Sequence, residues 1–187
     1  MHLIYGADWN NKLHLMVDPI DPTEATRKLE DHQTFAIAGG PEPLTGTDFD
    51  NFLKNPDLTG NPADWAIAVD PTGPRTSFMV RFYNFWGTAL AEYTFHEQPD
   101  GRLFIEQVNT WQYPDSTQYW DYFDSTSSEE WKYKPGGYSN HAIRTPQPDG
   151  SLDVLFTEYN DTDLTANWET TPAVGDWTAL TDRNRFS

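Results

Sequence analysis

Histidines, carboxylates and hydroxyls are the groups in this chain that could do chemistry, and their spacing decides which chemistry. The five histidines are His2, His14, His32, His96 and His141. His96 and His141 fall in strand-like runs where Glu106 or Glu158 could join them, and two strand histidines with a carboxylate can hold a divalent cation. A half-buried, hydrogen-bonded histidine is the commoner fate, so no metal is expected. His96-Glu97 is followed by Gln98-Pro99, which ends the element and excludes a helical HExxH site. Asp161-Thr162-Asp163 opens like a calcium loop, but Ala166 stands where glycine is needed and Pro172 where the bidentate glutamate belongs. An Asx turn is the better account. Gly137-Tyr138-Ser139-Asn140-His141 is one residue short of GxSxG, with no strand-to-helix elbow around it. Gly39-Gly40 and Gly136-Gly137 lack the spacing of a phosphate loop. With 29 acidic residues, some carboxylate pairs arise by chance, so pairs alone do not point to glycoside hydrolysis. No catalytic residue and no cofactor are expected.

The most distinctive stretch is Trp111 to Tyr133, WQYPDSTQYWDYFDSTSSEEWKY, with eight aromatic residues and five acids against one lysine. Large aromatics anchor protein interfaces, and carboxylates beside them select a basic partner. An extended Gln118–Asp124 would set Tyr119, Asp121 and Phe123 on one side and Trp120, Tyr122 and Asp124 on the other. Ser125 to Ser128 reads as a polar loop leading to Glu129 and Glu130. The expected partner-binding residues are therefore Trp120, Asp121, Tyr122, Asp124, Glu129, Glu130 and Trp131. The bland account is that these aromatics divide between core and surface, as in any aromatic-rich sheet.

The net charge points the same way. The 187 residues carry 12 basic and 29 acidic side chains, a formal charge of −17. Residues 1–93 contribute −7 and residues 94–187 contribute −10, so the field covers the whole molecule. Such a field disfavours direct contact with nucleic acid or an anionic membrane, and favours a basic protein partner. It also serves solubility. The chain has no cysteine, which excludes a disulfide framework, a thiol nucleophile and a zinc–thiolate site and fits the cytoplasm. MHLIYGADWNN lacks the basic and apolar regions of a signal peptide, and no run is long and apolar enough to span a membrane.

The elements that must position these residues are mostly strands within a single domain, residues 1–187. Lys12–Val17 and Thr34–Ala38 read as strands, the first broken by Asp18-Pro19 and the second stopped by Gly39-Gly40-Pro41. Asp21-Pro22-Thr23-Glu24 starts a helix running to about His32. Thr47 or Asp48 caps a second short helix over Phe49–Lys54, and residues 55–62 form a loop. Strands follow over Trp65–Val69, Ser77–Trp86, Thr88–Glu97 and Leu103–Tyr113. Gly87 marks a bulge or tight bend. Two Gln-Pro-Asp-Gly segments, at Gln98–Gly101 and Gln147–Gly150, each close a hairpin. The second joins Ser139–Thr145 to Ser151–Tyr159. Trp168–Leu180 is a short extended segment interrupted by Pro172 and Gly175. The expected fold is α+β and mostly β: a curved, meandering antiparallel sheet of about six to eight strands with two short N-terminal helices.

The ending Pro172-Ala173-Val174-Gly175-Asp176-Trp177-Thr178-Ala179-Leu180 resembles the P-x-x-G-D-W-x-x-L closings of bacterial immunity proteins of polymorphic-toxin systems. The resemblance covers only Trp168–Leu180 and transfers no binding residue; Trp177 and Leu180 also read as residues that close the core. It implies a non-enzymatic inhibitor that blocks the basic active-site cleft of a nuclease, deaminase or NAD-degrading toxin. A DNA mimic that blocks a nucleic-acid-binding protein shares the charge argument. The alternative from another class is a lipocalin-like barrel that binds or transforms a small molecule, with Arg81, Tyr93, His96 and His141 lining its pocket.

Overall fold

The computed structural model describes residues 1–40, 49–54 and 62–186. Eleven strands lie among them: β1 (His2–Asn10), β2 (Leu15–Ile20), β3 (Phe35–Gly40), β4 (Trp65–Asp70), β5 (Ser77–Tyr83), β6 (Ala89–Glu97), β7 (Arg102–Gln112), β8 (Ser127–Tyr133), β9 (Ser139–Pro146), β10 (Leu152–Tyr159) and β11 (Trp168–Thr170). Two helices, α1 (Pro22–Glu30) and α2 (Phe49–Lys54), accompany them. The sheet order is β2-β1-β3-β4-β5-β6-β7-β8-β9-β10, all antiparallel. From β3 onward, neighbours in the sheet are neighbours in the chain. β7 is long enough to serve two partners along one edge: Gln107–Gln112 pair with β8, and Arg102–Phe104 with β11.

The meander rests on one turn chemistry used four times. Asn84–Gly87, Gln98–Gly101, Lys134–Gly137 and Gln147–Gly150 share a hydrogen-bond pattern in which the fourth residue's N–H donates to the first residue's carbonyl, and the first residue's N–H donates to the carbonyl one position beyond the turn. Each ends in glycine at φ between 80° and 90°. This is the three-residue hairpin loop with a type I turn and a glycine bulge, whose twist matches the strands it joins. The sequence reading found the two Gln-Pro-Asp-Gly copies. Gly87, expected as a bulge or tight bend, is one of these glycine bulges, while Gly136-Gly137 was legible only as a failed phosphate loop.

One face of the sheet carries the main core. Phe35, Ile37, Ile67, Phe78, Val80 and Phe95 point to the same side and are almost fully buried. They are covered by Ala25 and Leu29 of α1 and by the C-terminal segment, where Trp177 and Leu180 fill the core and the Trp177 indole N–H donates to the Tyr5 hydroxyl (3.3 Å). The Asp21 carboxylate caps α1 by accepting from the Glu24 N–H (2.8 Å). The Glu24 side chain does not complete a capping box; it pairs with Arg27. The opposite face is packed near β1, β3 and β4 by small residues (Ala36, Ala38, Ala66) against Trp9, Met16 and Tyr83.

Several expectations need correction. The sheet has more strands than six to eight, and it is open: β2 and β10 are its edges and do not pair with each other, so no lipocalin-like barrel closes among the described residues. β1 was unforeseen, since Gly6 and Asp8 break its alternation; pairing on both sides outweighs that local signal. β2 runs through Asp18-Pro19 because it is an edge, where proline's missing N–H leaves no ladder bond unmade. β3 continues through Gly39-Gly40, and Gly39 admits the Trp65 ring against its backbone. The strand expected over Ser77–Trp86 stops at Tyr83, and along it Met79 is exposed and Arg81 sits in a polar row. The candidate caps Thr47 and Asp48, and most of the 55–62 loop, lie outside the described residues.

Candidate functional site

The aromatic-acidic segment divides into two structures. Its first part leaves β7 and crosses the polar face, where the Trp120 N–H donates to Thr88 Oγ1 (2.9 Å). Gln118–Asp124 is not extended: Tyr122–Asp124 forms a single 3-10 turn. Asp121 accepts from the Phe123 N–H (3.2 Å) and Asp124 from the Asp121 N–H (3.2 Å), a reciprocal cap that fixes both carboxylates. The expected alternation fails because a strand offers these carboxylates no such partners. Tyr122 and Phe123 are left exposed, rings 3.8 Å apart. Beneath the loop, Trp120, Asp121 and Tyr122 wall a cleft of about 240 Å³ that Arg81, Tyr83, Asn11 and Lys12 complete.

The second part is β8, where a polar loop was expected. Side chains alternate along a strand, so Glu129 and Trp131 face the core side and Glu130 the other. On the far side, Glu130 enters a polar row across five strands. Arg81 donates to Glu92 (2.9 Å), Asn109 to Glu92 (3.2 Å), Gln107 to Glu130 (3.1 Å) and Arg144 to Glu130 (2.9 Å), while Lys132 lies 3.2 Å from Glu130. Burial pushes the Glu130 carboxyl up, but the bonds from Arg144 and Lys132 outweigh it and hold the group below the usual carboxylate range. Ser127–Glu130 have weak strand propensity; these cross-strand pairs supply the stabilisation.

On the core side, Trp131 is the centre of a stack. The His141 ring lies 4.0 Å away and 7° from parallel, Tyr159 at 5.5 Å and Tyr133 at 6.0 Å. Phe186 extends the row, 6.1 Å from Tyr133 and 5.6 Å from Tyr93. Glu129 Oε2 is 2.9 Å from His141 Nε2 and orients the imidazole. Burial pushes the Tyr133 phenol up to about 12. The C-terminal segment covers the core as far as Phe186; past it Leu155 and Tyr159 of β10 are exposed on the core side, and Leu152, Val154 and Phe156 are exposed on the opposite face.

The pocket expected from Arg81, Tyr93, His96 and His141 does not assemble. Tyr93 and His141 face the core side; Arg81 and His96 face the other. His96 Nδ1 lies 3.3 Å from Glu106, which Arg75 grips with two bonds. Burial holds the His96 pKa below its ordinary value, Glu106 opposes this, and Arg75 adds to it. The two histidines thus sit on opposite faces, each with its own carboxylate, and cannot share a cation with Glu106 or Glu158. Among the described residues no three histidines or carboxylates are placed to hold a metal. Ser139 is fully buried, and its hydroxyl is hydrogen-bonded to that of Thr162 (2.8 Å). Asp163 forms the expected Asx turn, accepting from the N–H and hydroxyl of Thr165.

Sequence reasoning missed Tyr133, Leu155, Phe156, Tyr159 and Phe186. The one available signal was LDVLFTEY, a strand with apolar residues on both faces, followed only by the short, proline-interrupted Trp168–Leu180 segment. No family model matches the chain, and no curated protein or solved structure matches it either.

Proposed function

We propose that this chain is a non-enzymatic inhibitor of the immunity type: an acidic domain that binds and blocks a basic protein, with a nuclease, deaminase or NAD-degrading toxin as the expected partner in the cytoplasm. The observation that carries the reading is the uncovered end of the sheet. There the Trp131, His141 and Tyr159 stack adjoins exposed Leu155 on the same face, with Phe156 exposed on the opposite one, and β10 belongs to a chain segment that has no lysine or arginine. From residue 145 to residue 182 the sequence holds eight acids and neither lysine nor arginine. Flat aromatics beside aliphatics provide the desolvated centre of an interface, and an unneutralised acidic surround provides steering and choice of partner. The proposed anchor set is therefore Glu129, Trp131 and His141 with β10; Trp120, Asp121 and Tyr122 wall a separate cleft, Asp124 caps the 3-10 turn, and Glu130 faces away.

The test is co-expression with the product of the adjacent gene, followed by titration of the complex with salt. A stoichiometric complex that weakens across roughly 0.05–0.5 M salt is expected. Trp131→Ala is expected to weaken it about tenfold or more, and Glu130→Gln to leave it within about threefold. A complex insensitive to both salt and Trp131→Ala, or no complex, overturns the reading.

A further inference from the structure

The two edges of this sheet are built differently. β2 is guarded: Pro19 removes one backbone donor and Asp18 sits at φ 45°, so the strand cannot present a regular row of groups. β10 has no such protection. All eight of its residues pair with β9 in unbroken register, and it contains no proline, glycine or lysine. Only one side of its backbone is used by β9, so alternate N–H and C=O groups of a straight eight-residue strand face outward. Both faces of that strand are apolar and open, with Leu155 64 % and Phe156 55 % exposed. Edges of this length and composition aggregate unless something covers them.

Charge decides what covers it. Asp149, Asp153, Glu158, Asp161 and Asp163 lie on or beside β10, and among the described residues none of them is ion-paired. Asp153 and Glu158 are held in place by Gln147 and the Tyr138 hydroxyl, neither of which cancels the charge. A second copy of the chain would set this acidic run against itself at the roughly 4.8 Å spacing of paired strands. A strand carrying lysine or arginine has no such conflict.

We propose that β10 accepts an extended, basic segment of the protein partner, added as a further strand of the sheet. Backbone bonds to the free edge supply the docking. The partner's apolar side chains meet Leu155 on one face and Val154 and Phe156 on the other, and its cations meet Asp153 and Glu158. The proposal rests on the inhibitor reading and specifies how that partner is held.

The probe is an acetylated, amidated octapeptide of alternating lysine and valine, with an alternating glutamate–valine peptide and a proline-interrupted lysine–valine peptide as controls. Residue-resolved amide exchange is expected to slow by about tenfold or more at alternate β10 residues with the basic peptide alone, and the effect should shrink between about 0.05 and 0.3 M salt. Leu155→Lys and Phe156→Lys, separately, are expected to abolish it while leaving protection in β5–β7 unchanged, which shows the fold intact. No protection of β10 at millimolar peptide overturns the proposal, as does equal protection by either control. Concentration-dependent dimerisation that protects β10 also overturns it, by naming a second copy as occupant. The inhibitor reading fails separately. A salt-sensitive, Trp131-dependent complex with the neighbouring gene product that leaves β10 exchange unchanged removes only strand addition; absence of that complex removes the reading itself.

Discussion

The indole of Trp131 lies face to face with the imidazole of His141, centroids 4.0 Å apart, and the far nitrogen of that imidazole is bonded to Glu129. The three groups sit on adjacent antiparallel strands, with Trp131 directly opposite His141 and Glu129 two residues along. Each fixes the next: the carboxylate sets the ring's orientation, and the ring holds the indole flat against the sheet. His141→Ala is expected to cost about 1–2 kcal/mol in urea unfolding. Glu129→Gln should cost less, and the double variant less than the sum, with a coupling of about 0.5–1.5 kcal/mol. Additive losses would show that the carboxylate does not act through the ring.

His14 makes stability depend on mild acid. Its ring is buried beside Tyr83 (4.6 Å) and Trp9 (5.8 Å). Burial lowers its pKa from 6.5 to about 4, a backbone hydrogen bond at Gly87 partly offsets this, and Arg81 lowers it further. The folded pKa lies below the unfolded one, so between them the unfolded chain binds the proton and the native state does not. This group's contribution is complete above about 6.5, falls as pH drops toward 4, and is level below that, a change of about 3 kcal/mol. His14→Gln is expected to flatten this limb in urea titrations between those values. An unchanged slope would mean that His14 titrates in the native state as it does in the unfolded chain.

Composition and local pattern reached much of the architecture and little of the site. α1, β4, β6, β7 and the hairpin of β9 and β10 were legible because each carries its own signal: a capped N-terminus, a period-2 aromatic run, or Pro-Asp-Gly between two such runs. β1 and β8 were not. Gly6, Asp8 and the Ser127–Glu130 run are poor strand formers, and they are extended because neighbouring strands pair with them, on both sides at Gly6 and Ser128–Glu130 and on one side at Asp8 and Ser127. The aromatic-acidic segment drew notice for a sound reason, but its geometry is long-range. Whether Asp121 caps a turn or faces a partner, and whether Glu130 shares a side with Trp131, follows from register and a local hydrogen bond that spacing does not encode. The bare edge at β10 is a fact about which strand is last, visible only once the order of strands is known.

Two of the four hairpin glycines, Gly101 and Gly150, offer a test of turn chemistry free of packing. A Cβ added at Gly101 or Gly150 meets nothing within 4 Å, while φ is 80° and 82°. Substitution there is opposed by backbone conformation alone. Gly101→Ala and Gly150→Ala are each expected to cost about 1 kcal/mol, and asparagine at the same positions distinctly less, since it tolerates the left-handed region. The measurement is the midpoint of urea unfolding for each variant. An alanine cost near zero would mean that these turns relax to another type without penalty.

Glu130 and Asp124 carry the same charge in one segment, and reversing each should have different consequences. Asp124→Lys removes one exposed cap of a single 3-10 turn, so a loss under about 1 kcal/mol is expected. Glu130→Lys places an ammonium against Arg144 and Lys132 and removes one of the two acceptors of Gln107, in a row only partly open to water. Partial screening limits the penalty, yet about 1–3 kcal/mol is expected. Because Arg144 and Lys132 hold the Glu130 carboxyl below its ordinary range, its folded pKa is below its unfolded one. Its contribution is therefore present above the unfolded value and is lost as pH falls through the folded one. The gap between wild type and Glu130→Gln should be open at neutral pH and narrow in acid. A gap that persists after the carboxyl is protonated would assign Glu130's role to packing within the row and not to its charge.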